Sequence, residues 1–114
     1  MIVMENNWIK VWIAPDIGGK VWGALDKKTG KYFIYHNNVV KFRDVAMRGP
    51  WTSGGIEFNF GSIGHAPTTA TPVDYYYQYN SNTNMHVIYQ IRAIRNHLFG
   101  GSIKVLANDV LIIT

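Results

Sequence analysis

The 114-residue sequence predicts an all-β fold, an antiparallel β-sandwich, and three observations carry the prediction. Short runs rich in aromatic and β-branched residues recur along the chain, and these residue types suit a pleated, half-buried surface. Turn-forming clusters separate the runs about every ten residues, the spacing of a sandwich or barrel. No segment holds a convincing 3.6-residue apolar period, so helices are expected to be few and short.

The elements follow in order. From Trp8 to Ile13 the residues are aromatic and β-branched with one charge, Lys10, which predicts a strand. Pro15-Asp16-Ile17-Gly18-Gly19 stops it, with a fixed φ, a turn-forming side chain and two residues free to take positive φ. Lys20 to Leu25 is the next strand. The polar turn Asp26-Lys27-Lys28-Thr29-Gly30-Lys31 leads to Tyr32-Phe33-Ile34-Tyr35, so the first 35 residues read as a three-stranded meander. Val39 to Phe42 reads either as a short strand or as a lead into the segment around Arg48.

Further on, Val73 to Tyr79 and Met85 to Ile94 form a hairpin across Asn80-Ser81-Asn82-Thr83-Asn84, five turn-favouring residues in a row. Within it Tyr75, Tyr76 and Tyr77 alternate faces, and core packing is the expected use of their rings. Ser102 to Ala107 and Val110 to Thr114 complete the strands. With no repeat or linker, residues 1–114 read as a single unit. The chain ends on the apolar run Leu111-Ile112-Ile113-Thr114, which unpaired would be an aggregating edge, so the unit is expected to be a truncated one.

Composition narrows the function classes. With 47% hydrophobic and 16% charged residues the chain is globular. Its formal charge of +4 is spread along the chain rather than gathered on one element, which argues against a nucleic-acid partner. The lack of cysteine removes disulfides, thiol nucleophiles and thiolate metal sites, and leaves the compartment open. The first residues do not read as a signal peptide, and no run approaches the roughly 18 apolar residues of a membrane span. His36, His86 and His97 share no spacing that suggests a metal, and no phosphate loop, dinucleotide glycine pattern or nucleophile elbow is present, so no cofactor is expected.

The informative stretch runs from Arg48 to Asp74. It holds five of the eleven glycines and three of the four prolines, together with Arg48, Trp51, Glu57, Asn59, His65 and Asp74. Regular structure is poorly served there, yet these are the residue types that build a polar pocket on a loop. Arg48 is suited to planar hydrogen bonding of sugar hydroxyls or a carboxylate, or to pairing with Asp44 or Asp74. Glu57 lies between Ile56 and Phe58 on an expected strand, and alternation gives it a polar face shared with Asn59. That face is either a site or an ordinary solvent-facing edge. His65, on a loop restricted by Gly64 and Pro67, is suited to proton donation near neutrality or to a structural cap. Trp12 and Trp22 belong to strands and are expected in the core, whereas Trp51 is the indole available to stack on a sugar ring.

The opening Val11-Trp12-Ile13-Ala14-Pro15-Asp16-Ile17-Gly18-Gly19-Lys20-Val21-Trp22 resembles the start of aldose-epimerase-type domains. Combined with Arg48-Gly49-Pro50-Trp51, Ser53-Gly54-Gly55-Ile56-Glu57-Phe58-Asn59-Phe60 and Gly64-His65, the sequence resembles the DUF5107 family, often found beside tetratricopeptide repeats in bacterial proteins. The resemblance covers residues 5 to about 95 and fades after Ile94. It implies part of a galactose mutarotase-like β-supersandwich with a sugar site on a concave face. In such enzymes a carboxylate takes the anomeric hydroxyl proton while a histidine donates to the ring oxygen, which nominates Glu57 and His65 as catalytic and Arg48, Trp51, Asn59 and Asp74 as substrate-binding. The general base of mutarotases is a glutamate far along the chain, and a full supersandwich needs roughly twice this length. The expected function is therefore binding of a sugar or oligosaccharide by an N-terminal portion of a larger bacterial carbohydrate-processing protein. A catalytic epimerase or glycoside hydrolase fragment, or a structural, protein-binding β-domain, are the alternatives.

Overall fold

The computed structural model describes residues 1–44, 50–58, 70–82, 85–94, 97–105 and 111–113. Among them the only helical element is a single 3-10 turn, Pro15–Ile17, and the rest of the regular structure is antiparallel strand. The fold is all-β, as the missing helical period requires.

The first sheet has four strands in the order β1 (Ile2–Glu5), β2 (Ile9–Ala14), β3 (Lys20–Asp26) and β4 (Lys31–Tyr32). It exceeds the expected meander by β1. Asn6 builds the extra turn: its Oδ1 accepts from the backbone N–H groups of Trp8 and Ile9, both at 2.8 Å. The turn after β2 is the one the sequence predicts, with Gly18 and Gly19 at φ 74° and 65°, where side chains with a Cβ are strained. β4 is shorter than expected. After Tyr32 the chain holds the sheet by one bond from Phe33 N–H to the Ala24 carbonyl and then leaves it.

A bulge decides which side chains of this sheet face which way. Trp12 pairs with Gly23 but Ile13 pairs with Val21, so β3 carries an extra residue, Trp22. Before and after the bulge Val21 and Ala24 face the core with Val11, Ile13 and Met4. Ile2, Ile9, Ile34, Ile56 and Phe58 pack against them. Burying each aliphatic side chain of this size contributes about 1.5–3 kcal/mol. On the reverse side Trp22 is buried with Ala14 and Ile17, as expected of it, and its indole N–H donates to the Asn37 carbonyl at 3.0 Å. Trp12 is partly buried and packs against the same cluster, tilted against Tyr32 and His36, which stack with their rings 4.4 Å apart.

A two-stranded sheet, β5 (Phe42–Asp44) with β6 (Pro50–Thr52), follows. The second four-stranded sheet has the order β10-β9-β8-β7, with β7 at Asp74–Asn80, β8 at Met85–Ile94, β9 at His97–Val105 and β10 at Leu111–Ile113. Backbone bonds join its lead-in to the first sheet's turn: Gly18 N–H donates to the Thr71 carbonyl and Val73 N–H to the Pro15 carbonyl. The core role expected of the tyrosines of β7 is not observed. Tyr75, Tyr76, Tyr77 and Tyr79 are 51, 51, 56 and 48% exposed, because neither face of β7 is covered and every residue of it is open to solvent.

Candidate functional site

The segment beginning at Trp51 is held by contacts that a local reading of the chain does not reveal. Ile56 makes one antiparallel bridge to Val21, with its N–H donating to the Val21 carbonyl at 2.9 Å. Gly55 precedes it at φ 69°, and its own N–H donates to the Tyr35 carbonyl. A Cβ at Gly55 would collide with the Val21 carbonyl oxygen, so this approach requires glycine. The strand expected around Glu57 is accordingly reduced to that single bridge, and Glu57 and Phe58 lie outside regular structure.

Glu57 does not occupy a solvent-facing edge. Its carboxylate meets the ammonium of Lys20 at 3.2 Å, with the two side chains 13% and 1% exposed. Lys20 Nζ also donates to the Thr52 carbonyl at 2.8 Å and to Thr52 Oγ1. Two hydrogen bonds to Thr52 and the ion pair with Glu57 thus surround the ammonium, as burial of a charge demands. Lys20 thereby pins the Thr52 end of β6, and Glu57 with it, to the start of β3.

Strand alternation then sets the opposite side of the same hairpin. Phe42 pairs with Thr52, whereas Arg43 pairs with Trp51, so Arg43 and Trp51 share the face that Thr52 does not. Lys41 and Ser53, each two residues away, fall on that face too. These four, with Asn37 and Val39, line an open groove of about 210 Å³. Asn37 organises its floor: Nδ2 donates to the Ser53 carbonyl at 3.3 Å, and Oδ1 accepts from Val39 N–H at 3.1 Å. Lys41 and Arg43 are exposed, and neither forms an ion pair among the described residues.

Of the residues nominated from sequence, Trp51 lines the groove. Glu57 sits on the Lys20 side of β6, and Asp74 opens β7 as an exposed residue beyond the Val73–Pro15 contact. Among the described residues these three are therefore not gathered into one cluster. Arg48, Asn59 and His65 lie outside the described residues. Sequence reasoning missed Asn37, Lys41 and Arg43. The alternation of Lys41-Phe42-Arg43 against Trp51-Thr52-Ser53 was the signal that could have found the two cations. No group of three His, Cys, Asp or Glu among the described residues is arranged to hold a metal ion. No helix among them is long and apolar enough to cross a membrane.

The fold and groove define an all-β protein of antiparallel sheets with a cationic, tryptophan-bearing groove beside a two-stranded hairpin. Residues 1–99 match the family described as Domain of unknown function (DUF5107), and the chain belongs to that family. The match reaches past Ile94, where the resemblance read from the sequence fades. No solved structure matches the chain.

Proposed function

We propose that this chain binds carbohydrate, as part of a mutarotase-like β-sandwich, through the groove beside Trp51. The observation that carries the reading is the groove's composition: one indole, two cationic side chains, an amide and a hydroxyl along the β5–β6 hairpin and the segment before it. An aromatic ring offers an apolar platform to the C–H face of a sugar, while polar groups around it orient the hydroxyls. At about 210 Å³ the groove is smaller than the roughly 300–1,000 Å³ of sites that enclose a drug-sized ligand, so it suits one ring of a chain that continues into solvent.

Binding is favoured over catalysis by the engagement of Glu57. Its carboxylate faces Lys20 across β6 from the groove, so Glu57 serves the reading as a clamp on the hairpin. Calorimetric titration of the 114-residue chain with a panel of neutral and acidic oligosaccharides tests the proposal. Trp51→Ala is expected to weaken the best ligand at least about tenfold, or about 1.4 kcal/mol. Undiminished binding by a folded Trp51→Ala variant would overturn it.

A further inference from the structure

The groove's hydrogen-bonding inventory is unbalanced, and the imbalance identifies the kind of sugar. Neutral sugars present hydroxyls that both donate and accept, so a site for them offers acceptors as well as donors. Among the described residues the lining contains Lys41 and Arg43 and no carboxylate. An ammonium brings three N–H donors and a guanidinium five, with no acceptor on either. The Oδ1 of Asn37 already accepts from Val39 N–H, and the Ser53 carbonyl from Asn37. Asp44, the acidic neighbour in β5, pairs with Pro50 and falls on the opposite face from Arg43 by alternation.

From this we infer that the groove takes an acidic sugar, with the carboxylate of a uronic acid received by Arg43 and Lys41 while its ring lies against Trp51. The inference rests on the carbohydrate-binding reading of the same groove. Arg43 supplies a planar fork that matches the two oxygens of a carboxylate, and Lys41 adds a compact charge. The two cations line one groove, so their potentials add where the ligand's charge sits. The same positive potential attracts other polyanions, but a uronic acid sets its carboxylate directly on a pyranose ring whose apolar face matches one indole.

The test is titration of the chain with hexagalacturonate and with its methyl-esterified counterpart, which keeps the ring and removes the charge. Oligothymidylate serves as a polyanion without sugar-ring carboxylates. Hexagalacturonate is expected to bind at least about tenfold tighter than the ester, and to lose at least about tenfold in Arg43→Ala and in Arg43→Gln. Lys41→Ala should lose less, and raising ionic strength should weaken hexagalacturonate but not the ester. Both cations are exposed, so these variants should melt with the unaltered chain, and the melting curve checks that a loss of binding is not a loss of fold. Equal affinity for the acid and its ester, with no effect of Arg43→Ala, overturns this inference and leaves carbohydrate binding standing. Binding of neither oligosaccharide overturns this inference, and the carbohydrate-binding reading falls with it only if the full panel of neutral and acidic oligosaccharides also fails to bind. Preference for oligothymidylate overturns the inference in favour of general polyanion binding.

Discussion

On one side of the β5–β6 hairpin a lysine is sealed from water, and on the other two cations stand open to it. Lys20 is 1% exposed, hydrogen-bonded twice to Thr52 and ion-paired with Glu57. Lys41 and Arg43 are exposed and form no ion pair among the described residues. Three positive charges around one small hairpin thus serve two ends. A buried charge must be fully partnered by the fold, and once partnered it fixes geometry. A charge left without a partner at a groove contributes little to stability and remains available to a ligand. Substitutions on the closed side should therefore move the melting temperature, and those on the open side should move affinity.

The largest effect is expected at Gly55, which brings the closed side together. Gly55→Ala combines a positive φ of 69° with a collision against the Val21 carbonyl oxygen, so the Val21–Ile56 bridge must open. Strain at a left-handed position, a steric clash and a lost backbone bond together place it among substitutions costing more than about 4 kcal/mol. Thermal and denaturant melts measure this directly. A Gly55→Ala chain that melts with the unaltered protein would mean that the bridge does not hold Glu57 in place.

Glu57→Gln comes next. It leaves the Lys20 ammonium buried with neutral partners, and removal of one member of a buried ion pair costs about 3–5 kcal/mol. The low end is expected, because both hydrogen bonds from the Lys20 ammonium to Thr52 remain. The double variant Lys20→Met, Glu57→Leu should recover most of the loss, since no charge remains to be compensated. If Glu57→Gln changes stability by less than about 0.5 kcal/mol, as an ordinary surface substitution does, the contrast between the two sides of the hairpin collapses.

That contrast was only half legible in the sequence. The turn at Pro15–Gly19 and the strand from Met85 to Ile94 could be read correctly, because turn chemistry and strand patterning are local properties. Trp51 could be nominated because an indole in a polar stretch rich in glycine has no core strand to belong to. Lys20 could not. At the head of a strand it reads as a solvated residue, and its burial depends on Thr52, 32 positions away, folding back over it. Lys41 and Arg43 look like two of many scattered cations until the pairing of Arg43 with Trp51 puts them on one face. Tyr75, Tyr76 and Tyr77 teach the reverse lesson: alternation assigns faces to rings but does not say which face another layer covers, and neither face of β7 is covered.

The smallest effect concerns exposed carboxylates, and it separates surface pairing from the buried clamp. Glu5 is held below the ordinary carboxylate range chiefly by its hydrogen bond with Lys27, at 2.7 Å, and by the neighbouring Lys10. Asp26 is lowered chiefly by the backbone N–H of Lys28, at 2.8 Å, and by Thr29. With folded values below unfolded ones, the unfolded chain binds more protons in acid. Both contributions are complete above the unfolded values, near about pH 4, and are lost as pH falls through the folded ones. Melting temperature should therefore decline slightly from pH 5 toward acid, and Glu5→Gln and Asp26→Asn should each flatten part of the decline. Salt distinguishes the causes. At 1 M the screening length falls to about 3 Å, which should erase much of the Glu5 share while leaving the Asp26 share, a short bond to backbone, largely intact. The cost of Glu57→Gln should hardly change with salt, because counterions do not reach a buried pair as they reach Glu5; a cost that vanished in 1 M salt would put Lys20 and Glu57 in solvent contact.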